Sequence, residues 1–220
     1  MQLTISSSKI IKYLSSFSLI LILIHSIILA IYFYINDPKQ FNFIRLFDLD
    51  MERNIPTLFS SLLFCIASFL FYLLYKKEKT PYWLGLCVVF LFLAFDESAK
   101  IHESIGDFTE NFIDASGYLF YPWVLSYALF VLILTLIYAK FFFKMPKKVF
   151  FSFMLSAIIF LTGAIGFDML GGYEANLNNE NTLTYCIYYT IEESLEMFGL
   201  IYLISILLGL LKSVEIKILS

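Results

Sequence analysis

Six long apolar runs decide what this chain can fold into. They cover residues 14–35, 57–75, 82–103, 118–143, 149–168 and 183–211. A helix needs about 20 apolar residues to cross a hydrocarbon layer about 30 Å thick. The third run is apolar only from Tyr82 to Phe95. Inside lipid every backbone N–H and C=O needs a partner within the protein, so runs of this length are read as helices. The expected fold is an all-α polytopic membrane bundle of about six transmembrane helices, with residues 1–220 forming a single transmembrane domain. The connections are too short for a separate soluble domain.

Composition removes the competing classes. The chain is 60% hydrophobic and 15% charged, where a soluble domain carries about 25% charged residues. A net charge of -3 without a basic block excludes nucleic acid as a general partner. Cys65, Cys87 and Cys186 lie far apart with no Cys-x-x-Cys, so neither a disulfide framework nor a zinc ribbon is expected. With only two histidines, His25 and His102, a three-histidine zinc site cannot form. The first run follows Lys9 and Lys12, but it exceeds the roughly 7–15 residue core of a signal peptide and reads as an uncleaved span.

Charge is distributed unevenly along this frame. Eleven of the 15 lysines and arginines fall at the N-terminus, in the second-to-third and fourth-to-fifth loops, and in the tail. Positive residues favour the cytoplasmic side, which predicts that both the N and C termini are cytoplasmic. Acidic residues show the opposite bias. Of 18 Asp and Glu, only Glu78 and Glu215 fall on the predicted cytoplasmic side.

Three acidic groups sit at or within span ends on the predicted outer side. The first contains Asp96, Glu97, His102 and Glu103 and directly continues the third span. As one continuous helix it places Asp96, Lys100, Glu103, Asp107 and Glu110 within about 80° of one another. The second is Glu192, Glu193 and Glu196 in the sixth span, and the third is Asp168, at the end of the fifth span before Gly171 and Gly172. Only 14 apolar residues precede Asp96 in the third span, about 21 Å of helix at 1.5 Å per residue, so its acids belong in the outer third of the bilayer. Glu192, Glu193 and Glu196 come to a similar depth. An ionised carboxylate there costs on the order of 2.5–3.5 kcal/mol and normally faces the bundle interior. The two groups are therefore expected to meet, with Asp168 nearby.

Something must offset that charge. The candidates are Lys100, His102, protons shared between carboxylates, or a bound divalent metal such as Fe, Mn, Zn or Ca, for which mixed Glu/Asp/His ligation is suited. Asp96, His102, Asp168, Glu192, Glu193 and Glu196 are the candidate metal ligands, and Glu97 and Glu103 the candidate catalytic bases. The bland alternative is a solvated helix end with an intrahelical Asp96–Lys100 pair. No Glu-x-x-His, His-Glu-x-x-His, Gly-x-Ser-x-Gly or Walker motif is present. The metal reading thus rests on the cost of charge in lipid.

The segments Phe92-Leu93-Ala94-Phe95-Asp96-Glu97, His102-Glu103 and Glu192-Glu193-Ser194-Leu195-Glu196-Met197-Phe198-Gly199 resemble a pattern in uncharacterised bacterial multipass membrane proteins. These share an Asp-Glu-x4-His-Glu motif and a C-terminal Glu-Glu-x-x-Glu motif. The resemblance implies that both groups belong to one site in a bacterial inner (plasma) membrane protein, and it brings no established activity.

Three functional classes fit these residues. One is a divalent-metal-dependent enzyme with an outward-facing cluster acting on a lipid or membrane-soluble substrate. Another is a cation- or proton-coupled transporter or channel, against which stand the lack of an inner acidic partner and of a detectable repeat. The third is an accessory subunit pairing its acidic face with a partner protein. Expected partners are membrane lipids and a second copy of the chain or another membrane protein. His25, amid the first span, reads as a histidine bonded to a neighbouring hydroxyl or carbonyl. Tyr185, Tyr188 and Tyr189 read as interfacial anchors, with Tyr189 in reach of Glu192 and Glu196. Phe41 to Leu49 reads as a short amphipathic stretch on the membrane surface.

Overall fold

The computed structural model describes residues 6–35 and 44–211. Its helices are α1 (Ser7–Ile35), α2 (Ile55–Glu78), α3 (Pro81–Ala99), α4 (Ile101–Thr109), α5 (Trp123–Phe143), α6 (Lys147–Leu161), α7 (Asp168–Asn178) and α8 (Leu183–Leu211). No strand occurs among the described residues. Among the described residues six helical stretches are long and apolar enough to cross a membrane: α1, α2, α3, α5, α8 and the continuous run Lys147–Asn178 through α6 and α7. The chain is an all-α integral membrane bundle. Lys39, Lys212, Lys217 and the start of the Phe41–Leu49 stretch lie outside the described residues.

Helices α2 and α8 form the inside. Leu63, Ala67, Leu74, Met197, Ile204 and Leu207 have no exposed surface, whereas Leu23, Leu136 and Phe151 on the outer helices are open. An apolar outer surface around an apolar interior suits a lipid solvent. Lipid supplies no hydrophobic force between helices, so association depends on close packing and interhelical hydrogen bonds. Ser61 donates to the Ala94 carbonyl at 2.7 Å and Ser68 to that of Cys87 at 2.8 Å, riveting α2 to α3. Ser156 of α6 donates to the Gly199 carbonyl of α8 at 2.9 Å.

Two local departures from a plain helix position the acidic residues. The first is at Lys100, whose φ of 58° lies in the left-handed region and separates α3 from α4. The Asp96 carboxylate accepts the His102 backbone N–H at 2.6 Å, capping α4 from the preceding turn. This side-chain bond competes with helix continuation. It overturns the single stripe expected from Asp96 to Glu110: Asp107 and Glu110 lie on exposed surface. The Asp96–Lys100 pair is replaced as well, because the ammonium turns to Glu52 and Glu103.

The second is a π-helical segment, Thr162–Phe167, between α6 and α7. The wide turn lets the helix run on to Asn178, so Asp168 stands within the fifth spanning stretch and not at its end. Such inserted turns re-aim side chains and recur at functional sites. A side-chain carbon at Gly163 would lie 2.7 Å from the Glu192 carbonyl and 3.2 Å from Glu196 Cγ. Only glycine permits this approach, which seats the π segment against the acidic turn of α8.

Candidate functional site

A cavity of about 350 Å³ opens where the 44–54 loop, the α3–α4 junction, α7 and α8 converge. Asp96, Glu97, His102, Glu103, Asp168, Glu192, Glu193 and Glu196 all line it. The two acidic groups and Asp168 thus face one space. Its wall also holds Asp50, Glu52, Glu180 and the rings of Tyr121, Trp123, Tyr127, Tyr185 and Tyr189.

The acids divide by what they touch. Asp96 accepts the His102 N–H on Oδ1 and the Tyr127 hydroxyl on Oδ2 at 2.7 Å. Glu52 meets Lys100 Nζ at 3.1 Å and His102 Nε2 at 3.5 Å. The first is an ion pair whose angle falls short of a hydrogen bond. Lys100 also donates to Glu103 at 2.8 Å. Asp50 accepts the Tyr185 hydroxyl at 2.9 Å, and Glu180 that of Tyr121 at 2.9 Å. By contrast, among the described residues no hydrogen bond or ion pair reaches Glu97, Asp168, Glu192, Glu193 or Glu196. Asp168 is 8% exposed, and its Oδ2 is buried without a partner.

Outside the spans, the charges at the rim tune one another. Burial works against the His102 cation, but Asp96 Oδ1, 3.3 Å from the ring Nδ1, and the charges of Asp96, Glu52 and Glu97 outweigh it and raise the imidazole above its ordinary value. Burial likewise works against Lys100, and its bond to Glu103 and the charges of Glu52 and Glu103 hold it above the usual lysine value. Glu52 is raised by burial despite Lys100. Asp50 keeps part of its surface open at the mouth, yet the protein around it displaces enough water to push its carboxyl up to about 6.

Three ligand atoms within 4.8 Å of one another occur at Glu52, His102 and Glu103. The Lys100 ammonium already pairs with both of those carboxylates, so a metal there would have to displace it. Deeper in, Glu192 lies in electrostatic range of Asp168, Glu193 and Glu196, and Glu196 in range of Glu97 and Asp168. These deeper groups face the cavity as a looser ring. The donor set of hard carboxylate oxygens with one imidazole at the edge, and the orphaned Asp168 Oδ2, fit a hard or borderline divalent cation.

Several contributors escape a reading of the sequence. Asp48 lies in the stretch expected on the membrane surface and Asp50 and Glu52 just beyond it, although their alternation with Leu49 and Met51 signals an organised turn. Tyr127 was one more aromatic residue in an apolar span. Tyr185 and Tyr189 are more than interfacial anchors: Tyr185 bonds Asp50, and Tyr189 turns to Asp48 at 3.4 Å, away from its expected partners in α8. His25 is fully buried. Its Nδ1 accepts the Leu49 N–H and its Nε2 faces Thr190 Oγ1, both at 3.2 Å. Thr190 spends its own proton on the Cys186 carbonyl, so His25 donates from Nε2 and is neutral in this arrangement. The approach of Asp48 to Nδ1 at 3.5 Å is then a non-bonded one. The hydroxyl expected beside His25 is present and comes from Thr190 of α8.

Fold and site together define a membrane-embedded helical bundle with an acidic chamber at one end. Residues 17–210 match a family described as Domain of unknown function (DUF8692), and the chain belongs to it. No curated protein and no solved structure matches the chain.

Proposed function

We propose that the chamber binds a divalent metal and that the protein is a membrane enzyme acting on a lipid or other membrane-soluble substrate. The observation that carries this reading is the set of five carboxylates, Glu97, Asp168, Glu192, Glu193 and Glu196, that face one cavity with no donor from the described chain. Carboxylates crowded in this way must share protons or bind a cation. Asp168, Glu192, Glu193 and Glu196 are the proposed ligands, with His102 at the edge. Asp96 already accepts two hydrogen bonds, and its part is to hold His102 and Tyr127 in place. A bound divalent ion supplies polarisation of a substrate oxygen or acidification of a water. Glu97 is the better placed of the two candidate bases, since Glu103 is tied to Lys100.

The distribution of basic residues supports an orientation with both termini cytoplasmic and the chamber facing outward, and the motif resemblance is what suggests a bacterial plasma membrane. Elemental analysis of protein purified without added metal tests the reading. Stoichiometric Fe, Mn, Zn or Ca that falls in Glu193→Gln and Glu196→Gln supports it. Metal-free protein with unchanged folding would leave shared protons to offset the charge and would favour a proton-coupled transporter.

A further inference from the structure

Beside the chamber lies an open groove of about 640 Å³, lined by Arg45, Leu46, Asp50, Met51, Glu52, Arg53, Asn54 and Lys100. All three basic residues described between α1 and α2 or between α3 and α5 open onto it. Asp50 and Glu52 line both the groove and the chamber, so a group in one is a single side chain away from the other.

The charges facing the groove are not equivalent. Glu52 is engaged by Lys100 and His102, and Asp50 by Tyr185. Lys100 is in turn shared with Glu103. The arginines have no carboxylate partner among the described residues. Among the described residues the Arg45 side chain makes one hydrogen bond, from Nε to the Met51 sulfur at 3.3 Å, and a thioether is a weak acceptor. Arg53 is exposed.

The loop backbone that carries these two residues is tied in place. Buried Asn54 donates from Nδ2 to the carbonyls of Arg45 at 3.1 Å and Asp48 at 2.6 Å, and its Oδ1 accepts the Thr57 N–H at 3.1 Å. One amide thereby ties Arg45, the loop and the start of α2 into a unit. Arg53, next to it, adopts φ 62°. A non-glycine residue in that region is strained, and the Asn54 bonds help to keep it there. Two guanidiniums without a carboxylate partner among the described residues, opening onto one groove at one end of a membrane bundle, match the oxygens of a phosphate, which arginine binds in a bidentate manner.

We propose that this groove binds a phosphate group, through Arg45 and Arg53 with Lys100 at the far wall, and that the chamber's substrate is a phosphorylated lipid or other phosphorylated membrane-soluble molecule. The proposal rests on the metal-enzyme reading of the chamber for its second half. The phosphate docks at the arginines, and the portion of the substrate beside it reaches past Asp50 and Glu52 to the carboxylates.

The test measures binding by calorimetry to the full-length protein in detergent, with three probes: dihexanoyl phosphatidic acid, dihexanoylglycerol, which lacks the phosphate, and inorganic phosphate. Wild-type protein is expected to bind the phosphatidic acid and not the dihexanoylglycerol. The Arg45→Gln/Arg53→Gln double variant should bind about tenfold more weakly or worse, as loss of charge-assisted hydrogen bonds implies. The Arg45→Lys/Arg53→Lys variant keeps the charge and should retain part of the affinity, which separates binding from folding. Inorganic phosphate binding as tightly as the lipid would identify free phosphate as the natural source and leave the groove standing. Equal binding by the Gln double variant, or equal binding of dihexanoylglycerol, overturns the proposal. Metal content is read on the same samples. An arginine effect in metal-free protein leaves the groove and removes the metal enzyme, whereas bound metal with no arginine effect does the reverse.

Discussion

Asp96 and Glu97 are adjacent in α3 and line the same cavity, yet their surroundings differ completely. Asp96 belongs to an outer set, with Asp48, Asp50, Glu52, Glu103 and Glu180, in which every carboxylate meets a hydroxyl, an N–H, an imidazole or an ammonium of the chain. Glu97 belongs to an inner set, with Asp168, Glu192, Glu193 and Glu196, that meets no such group among the described residues. The outer acids are structural: they cap α4, hold the 44–54 loop and orient tyrosines. The inner acids contribute nothing of the kind to the fold and are costly in a low-dielectric interior. A costly group without a structural role is best understood through what it binds.

The comparison predicts opposite responses to mutation. Asp96→Ala removes the acceptor of both His102 N–H and the Tyr127 hydroxyl and leaves these donors to find new partners. A loss of about 3 kcal/mol is expected from breaking a buried network of this kind, read as a lower melting temperature in detergent. Stability equal to wild type would show that Asp96 is as dispensable to the fold as Glu97.

Gly163→Ala should come next. Its methyl meets the Glu192 carbonyl at 2.7 Å, a backbone atom that cannot rotate away. Overpacking of this sort costs about 1–3 kcal/mol, and the separation of the π segment from α8 should also reduce metal content. A variant with wild-type stability and metal would show that the close approach is not needed to assemble the inner set.

Glu193→Gln addresses the inner set directly. With metal chelated, the substitution removes one repelling charge at nearly constant shape, and the variant is expected to melt above chelated wild type near neutral pH. A lower melting temperature in chelator would mean that Glu193 has a structural donor after all.

The smallest effect is a pH dependence at the rim. The Asp50 carboxyl is pushed from an ordinary 3.8 up to about 6. The folded state therefore holds this proton more tightly than the unfolded state, and the associated stability is full below about pH 3.8 and lost as pH rises through about 6. Asp50→Asn should flatten the fall in melting temperature between those values while keeping an acceptor for Tyr185. An unchanged slope would assign the titration to other groups.

Much of this architecture was legible in the sequence because lipid imposes simple rules. Long apolar runs had to become helices, and the acids within them had to face inward, so Asp96, Glu97, His102, Glu103, Asp168, Glu192, Glu193 and Glu196 could be placed together before any geometry was known. The division between inner and outer sets was not legible. It depends on the left-handed turn at Lys100, a residue type with no special preference for that conformation, and on the π segment, whose wide turn has no periodic signature. It depends as well on donors distant in sequence, the Tyr127 hydroxyl for Asp96 and the Tyr185 hydroxyl for Asp50. Such pairings arise from helix packing, which a hydropathy pattern leaves open.

The central claim is that the inner carboxylates are neutralised by a metal and not by protons. It is tested by melting wild-type and Glu196→Gln protein with and without a chelator at neutral pH. Binding to the folded state adds about 2.7 kcal/mol at a hundredfold excess over the dissociation constant. Wild type should therefore melt lower in chelator, while Glu196→Gln should start lower and respond less. Wild-type protein that melts identically with and without chelator, beside a Glu196→Gln variant that melts higher than wild type in both, would contradict the claim.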